Sequence, residues 1–360
     1  MPSEHLHDLS ARGIRVTLDG ESGQLARFEV ERGSRRIAPF ARVPWADGPD
    51  DPARFAAGMG AHLRRMSGDF FCAPFCADDV EGGPFHGWPA NALWELAETQ
   101  TLPDGVMARF RLAKTVAGAS VDKIWVLRDD HPFLYQRHDF TGGTRAIPLA
   151  HHAMVDLRTG GLLRFSPKLR AESPAKEMEP GRSLLVYPGE SADPTAFPGR
   201  DGPVDLTRYP FGRRHEDFAM LIDDPAQSLG WATALRPACG DVAMLLKPVA
   251  RLPQTMLWIS NGGRDYEPWC GQHVGVLGIE EACSFGAAGW AASVAPNRLT
   301  AEGIATAVDL SAAPVVRIAT AMGALPCDAA DGVDLALTAG GVRLSDGSTA
   351  PFDASWLDQR

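Results

Sequence analysis

The chain has 360 residues, 22% of them charged, and a formal net charge of −10. Proteins that bind nucleic acid or anionic membranes cluster Lys and Arg to neutralise phosphate, so this balance argues against both and favours neutral or cationic small molecules. No stretch approaches the roughly 20 apolar residues needed to cross a bilayer. The opening MPSEHLHDLSARG lacks the apolar core of a secretory signal, and six cysteines, at 72, 76, 239, 270, 283 and 327, are too sparse for a disulfide framework. The expectation is a soluble cytoplasmic protein with reduced thiols. Cys72 and Cys76 have no second Cys or His pair at finger-like spacing, so no metal is expected.

The length permits two domains or one large one. Gly and Pro, 37 and 28 residues, recur along the chain without gathering into one linker. Short elements broken by frequent turns mark an all-β chain. Ile14, Val16 and Leu18 alternate with Arg15, Thr17 and Asp19, and Ala26, Phe28 and Val30 alternate with Arg27, Glu29 and Glu31. Each run has one face for a core and one for water. The best helix signal is Asp51 to Met66, with Asp51 as a cap, Pro52 at the first position and Phe55, Met59, Leu63 and Met66 on one face. Gly58 and Gly60 reduce it to one or two turns.

Alternation resumes at Val106, Ala108, Phe110 and Leu112. Strand-like runs follow at Lys123 to Leu127, Phe218 to Ile222, Val242 to Lys247, Thr255 to Ser260, Val315 to Ile318 and Val333 to Leu337. The proline-rich, charged segment Pro174 to Arg214 reads as a long surface excursion with no core element. No period of roughly 20 to 50 residues repeats, which argues against a propeller or solenoid. The architecture expected is a single large antiparallel β-sandwich domain over residues 1–360, with few short helices.

Three stretches hold polar groups suited to chemistry. Leu63 to Leu96 places Arg64, Arg65, His86, Trp88 and Asn91 among glycines, prolines and aromatics, a composition that aims side chains over an apolar floor. Pro148 to Leu157, PLAHHAMVDL, sets His151 and His152 side by side; on a strand they face opposite ways, so one cavity takes at most one of them and a shared metal is disfavoured. Trp258 to Gly289 holds a buried-strand run, His273 to Ile279, which is expected to end on Glu280 and Glu281. A carboxylate at a strand mouth is partly desolvated, which raises its pKa toward the range of a general base, and histidine is the natural proton donor near neutral pH. No GxSxG, P-loop or post-strand GxGxxG motif is present, which leaves hydrolase-elbow and nucleotide readings without support.

In order and local wording these residues resemble the aldose 1-epimerase, or galactose mutarotase-like, superfamily: Arg65 before FFCAPF, His86 in FHGWPANALWEL, His152 in HHAMVDL and Glu280 in LGIEEACSFG. The resemblance runs from about Val16 to Leu344 and includes LTAEG at 299–303, similar to a late L-x-P-G-E turn. It implies roughly twenty antiparallel strands in one sandwich, a monosaccharide in an open groove, and no metal or organic cofactor. It also implies Glu280 as the base on the anomeric hydroxyl, His152 as the acid on the ring oxygen, His86 and Arg65 on sugar hydroxyls, and Asp217 as an additional sugar-binding acid.

Two departures from the family pattern keep alternatives open. Glu281 stands where the family has proline, so either glutamate could face the groove. Ala153, Met154 and Val155 replace an aromatic pair, and a one-residue change of register would put His151 in place of His152. A non-catalytic sugar-binding protein, or a lyase or glycoside-processing enzyme using Trp88, Trp258, Trp269 and Trp290, would suit the same sandwich.

Overall fold

The computed structural model describes residues 5–46, 48, 54–55 and 59–358. Alternating apolar side chains give almost every long strand two usable faces, and the chain stacks them in layers. A seven-stranded antiparallel sheet runs, in spatial order, Gly189–Ser191, Lys168–Ser173, His215–Asp223, Gln254–Asn261, Val276–Cys283, Leu149–Asp156 and Phe71–Cys72. A nine-stranded sheet runs Arg208–Tyr209, Gly161–Phe165, Leu229–Arg236, Asp241–Pro248, Val315–Pro326, Phe133–Thr141, Ser120–Arg128, Gly105–Leu112 and Trp94–Leu102.

The main core lies between these sheets. Ala153, Val155, Leu257, Ile259, Leu277 and Ile279 of the first pack with Phe140, Ala243, Leu245, Ile318, Met322 and Ala324 of the second. The central strands His215–Asp223, Gln254–Asn261, Val276–Cys283 and Asp241–Pro248 are buried on their outer faces as well, whereas Trp94–Leu102 at the edge is exposed along most of its length. The outer face of the nine-stranded sheet is covered by the C-terminal segment, including a small sheet of Leu335–Thr338, Gly341–Leu344 and Thr349–Pro351. The outer face of the seven-stranded sheet is covered by loops and short helical turns, which pack Trp45, Met66, Phe70, Phe75, Trp269 and Leu299 over Met154, Phe218, Met220, Met256 and Trp258. Loops leave gaps where a second sheet would not.

Two sequence expectations are corrected here. The run ending at Ile279 extends through both glutamates: the strand is Val276–Cys283 and is buried throughout, so Glu280 and Glu281 lie inside it rather than at its mouth. Two neighbouring strands, Leu149–Asp156 and Gln254–Asn261, continue the ladder past that point. Pro174 to Arg214 does contain core elements. It supplies edge strands to both sheets and buries Leu185, Phe197, Leu206 and Tyr209. Single apolar residues separated by prolines produce no periodic signal, yet each fills a gap against the sheets. Of the helix expected over Asp51 to Met66, residues 51–53 and 56–58 lie outside the described residues, and Ala61–Arg64 form one 3-10 turn, in keeping with the one or two turns expected. Leu299–Ala301 of the 299–303 stretch belong to a short helix, Arg298–Ala301, closed at its start by an Asn297–Thr300 capping box, and Glu302 and Gly303 form the turn that follows.

Candidate active site

Register determines which side chains meet. His152 pairs with Glu280, and His151 with Glu281, across adjacent antiparallel strands. Residues directly opposite share a face, and neighbours along a strand alternate. His152 and Glu280 therefore project outward under the loops, while His151 and Glu281 project between the sheets.

The outward pair forms the floor of a cleft of about 360 Å³. His152 Nε2 and Glu280 Oε1 are 3.1 Å apart, and both side chains are at least 95% buried. Phe70 stacks on His152 at 4.4 Å, and Trp258 and His86 meet the same ring edge-on at 5.5 Å. Gly278, next along the sheet face, makes room for the pair: a Cβ there would come within 2.9 Å of Glu280 Oε1 and 3.4 Å of His152 Cε1. Burial disfavours charge on both members. It pushes Glu280 up to about 8 and, with a further contribution from His62, lowers His152 to about 3. At neutral pH both members are thus held uncharged, with the Glu280 carboxyl facing His152 Nε2 across the 3.1 Å contact. Among the described residues, Glu280 Oε2 and His152 Nδ1 find no hydrogen-bond partner.

The loops bring further groups to the cleft. His86 sits in a left-handed conformation (φ 66°) before Gly87 (φ 72°), where a Cβ would run into the Ala73 carbonyl, so only glycine fits. Its backbone N–H donates to Cys76 O (2.7 Å) and its Nδ1 accepts from Cys76 N–H (3.3 Å), leaving Nε2–H as the donor. His62 has the opposite tautomer. The Asn91 amide nitrogen donates to the Phe85 and Gly87 carbonyls, so Asn91 Oδ1 accepts from His62 Nδ1–H (3.1 Å) and His62 Nε2 is left as an acceptor. Burial lowers His62 to about 4 and His86 well below the usual imidazole value. On the far wall, the Arg264 guanidinium lies 4.7 Å from the Trp269 ring and 5.4 Å from the Trp258 ring, and it donates to Glu179 Oε1 (2.7 Å). Tyr266 donates to the same carboxylate oxygen (2.6 Å). Trp258 Nε1–H is a buried donor without an acceptor among the described residues.

Of the residues singled out in the sequence, Glu280, His152 and His86 converge on this cleft. Arg65 does not; its guanidinium lies 3.8 Å from Asp19 and 3.9 Å from Glu21, and Arg264 is the cation of the cleft wall. His151 is turned inward by strand alternation, with Nδ1 3.1 Å from Asp69. Glu281 also faces inward, bonded to Lys247 and to Thr255 Oγ1 (2.8 Å). Asp217 lies on the inward face of its strand and ties down the long excursion, accepting from the Leu184 and Leu185 amides, from Tyr187 and from His215. Trp88 lies under Lys114, apart from the cleft. Trp258 and Trp269 line the cleft, whereas Trp290 is buried away from it.

His62, Arg264, Tyr266 and Glu179 escaped the sequence reading. The Arg264 loop, NGGRDYEPWCG, has the same Gly, Pro and aromatic composition that drew attention to Leu63–Leu96, and that test applied there would have found it. Among the described residues no group of three or more His, Cys, Asp or Glu side chains is arranged to hold a metal ion.

Layered antiparallel sheets with a loop-walled cleft on one outer face define a fold class, the all-β galactose mutarotase-like sandwich. The chain matches a galactose mutarotase-like protein from Clostridium acetobutylicum at 9% identity and TM-score 0.56, over 88% of this chain and 94% of that one. It also matches a galactose mutarotase related enzyme from Lactobacillus acidophilus (10% identity, TM-score 0.54, 90% and 98% covered). A third match is a galactose mutarotase-like protein from Lactobacillus casei (11%, 0.52, 89% and 100%). No family model matches the sequence, and no curated protein matches it either. At such identities the likeness establishes the fold alone.

Proposed function

We propose that the protein is an isomerase of the aldose 1-epimerase type, interconverting the anomers of a free monosaccharide or close relative. The observation that carries this reading is the His152–Glu280 pair at the floor of the cleft, 3.1 Å apart and buried so that neither member is charged at rest. Anomer exchange needs one proton removed from the anomeric hydroxyl and one delivered to the ring oxygen. Those oxygens hang from the same carbon, so the acid and base must stand side by side.

The step balances within the pair. Moving the resting proton along the 3.1 Å contact yields the Glu280 carboxylate and the His152 imidazolium. Ligand hydroxyls at Glu280 Oε2 and His152 Nδ1 would stabilise these charged forms, replacing hydrogen bonds that burial denies them. Glu280 then takes the anomeric proton, His152 protonates the ring oxygen, and the bond from that oxygen to the anomeric carbon breaks. Rotation about the adjacent carbon–carbon bond and the reverse transfers close the ring on its other face. The pair returns to its starting protonation, and no other reactant is consumed.

His86 Nε2–H, Trp258 Nε1–H and the Arg264 guanidinium supply donors for hydroxyl groups, and His62 Nε2 supplies an acceptor. Trp258, Trp269 and Phe70 offer apolar faces for the ring. The test is anomer exchange measured by polarimetry of freshly dissolved sugars, or by magnetisation-transfer NMR, across a panel of monosaccharides. Acceleration of at least one of them over buffer is expected. No acceleration of any sugar the protein demonstrably binds would leave a carbohydrate-binding protein without catalysis.

A further inference from the structure

A second cavity, of about 560 Å³, lies behind the wall of the cleft and is lined by four arginines, Arg158, Arg182, Arg213 and Arg214. This is a local concentration of positive charge in a chain whose net charge is −10. Arg158 is engaged by Asp156 and Arg182 by Asp265. Among the described residues, Arg213 and Arg214 have no carboxylate partner; both are exposed at the cavity's rim and offer planar groups suited to bidentate oxyanion contacts.

Backbone strain points to the same place. Six described non-glycine residues have positive φ; two of them, Cys76 (63°) and His86 (66°), border the cleft, and two others, Arg214 (52°) and Cys270 (45°), border this cavity. Left-handed residues persist where the surroundings over-determine them, commonly at ligand clamps.

The cavity and the cleft share one loop. Asp265, Cys270 and Val274 of the Gly262–Gly275 segment line the cavity, while Arg264, Tyr266 and Trp269 line the cleft. The Arg182–Asp265 ion pair adds a second link, because the Arg182 N–H donates to Glu179 O, and the Glu179 carboxylate holds Arg264. We propose that this cavity binds a small metabolite of the phosphate class and that its occupancy orders the Gly262–Gly275 loop. The volume exceeds what one tetrahedral oxyanion fills, which leaves room for an organic part beside the guanidinium groups. The anion site stands whatever reaction the cleft performs.

The experiment follows the thermal transition of the full-length protein with inorganic phosphate and, separately, glycerol phosphate, each against sodium chloride at equal ionic strength. A saturable rise of a few degrees beyond the chloride control is expected. It should be lost in the double variant Arg213→Gln/Arg214→Asn, whose Asn tolerates the left-handed backbone. An unliganded transition that matches the parent shows that the variant is folded. Saturation by both probes at similar concentration identifies the free oxyanion as sufficient; tighter binding of the ester, by about tenfold, identifies the organic part as a contributor. A rise equal to that in chloride, or one retained in the double variant, overturns the site. Amide exchange across residues 262–275 should slow on anion binding, and unchanged exchange with anion bound overturns the coupling. Neither readout depends on sugar, so failure of the epimerase reading would appear separately, as absent anomer exchange.

Discussion

Replacing Glu280 with glutamine should make the protein more stable at neutral pH and inactive. Burial raises the Glu280 carboxyl from its ordinary 4.5 to about 8. Because the folded-state value is the higher one, the fold bears no penalty below pH 4.5, where both states hold the proton. As pH rises toward 8 the unfolded chain gains by releasing that proton while the folded chain cannot. At pH 7 the difference spans about 2.5 pH units, or about 3 kcal/mol at about 1.4 kcal/mol per unit. Glu280→Gln removes the ionisable group but keeps a donor to His152 Nε2, so up to about 3 kcal/mol should be recovered at pH 7 and almost none at pH 4.5. Denaturant unfolding at the two pH values measures this. The same variant cannot accept the anomeric proton, and exchange of a sugar that it still binds should fall by about 10²- to 10⁴-fold. A variant no more stable than the parent at pH 7 would refute the desolvation argument. Retention of the parental rate would refute the role of the pair.

The exchange rate should fall as pH rises past about 8, because Glu280 then loses its proton; a rate–pH profile with no alkaline limb would exclude a proton held on Glu280. The buried histidines act at the other end of the scale. His62, His152 and His273 are lowered to about 4, 3 and 3. Depressed values leave stability intact above pH 6.5 and remove it as pH falls toward 3, by about 2 kcal/mol per group already at pH 5. Three such groups approach the total stability of a typical domain, so acid unfolding followed by circular dichroism should begin near pH 5. His152→Gln should abolish exchange while leaving a folded protein. His151→Gln should leave the rate per folded molecule within about twofold and cost about 1–3 kcal/mol in denaturant unfolding, through the lost bond to Asp69; the opposite pattern would place His151 in the cleft. Arg264→Ala should raise KM by about tenfold or more with a smaller effect on kcat, and Arg65→Ala should change neither, as steady-state kinetics would show.

Much of the architecture was legible because strand signals are local. Val106, Ala108, Phe110 and Leu112 alternate, and Gly105–Leu112 is a strand; the runs at 14–18, 123–127, 218–222, 242–247 and 255–260 each fall within strands as well. The long excursion was misread because Leu185, Phe197 and Leu206 are isolated in sequence and gain their burial only from partners far along the chain. The resemblance in wording around His86, His152 and Glu280 led to the fold that the solved structures share, although the L-x-P-G-E likeness at 299–303 falls on a short helix.

At the site, sequence alone determined that His151 and His152 face opposite ways, because alternation along a strand has period two. It could not determine which of them meets a glutamate, since that depends on the pairing of 149–156 with 276–283 and on which sheet face is left to loops. The same tertiary choice excluded Arg65, brought Arg264 over Trp258 and Trp269, and gathered four arginines around one cavity in an acidic chain. Residue types and their alternation follow from local chemistry; convergence follows from sheet register and loop closure, which couple positions that no local pattern connects.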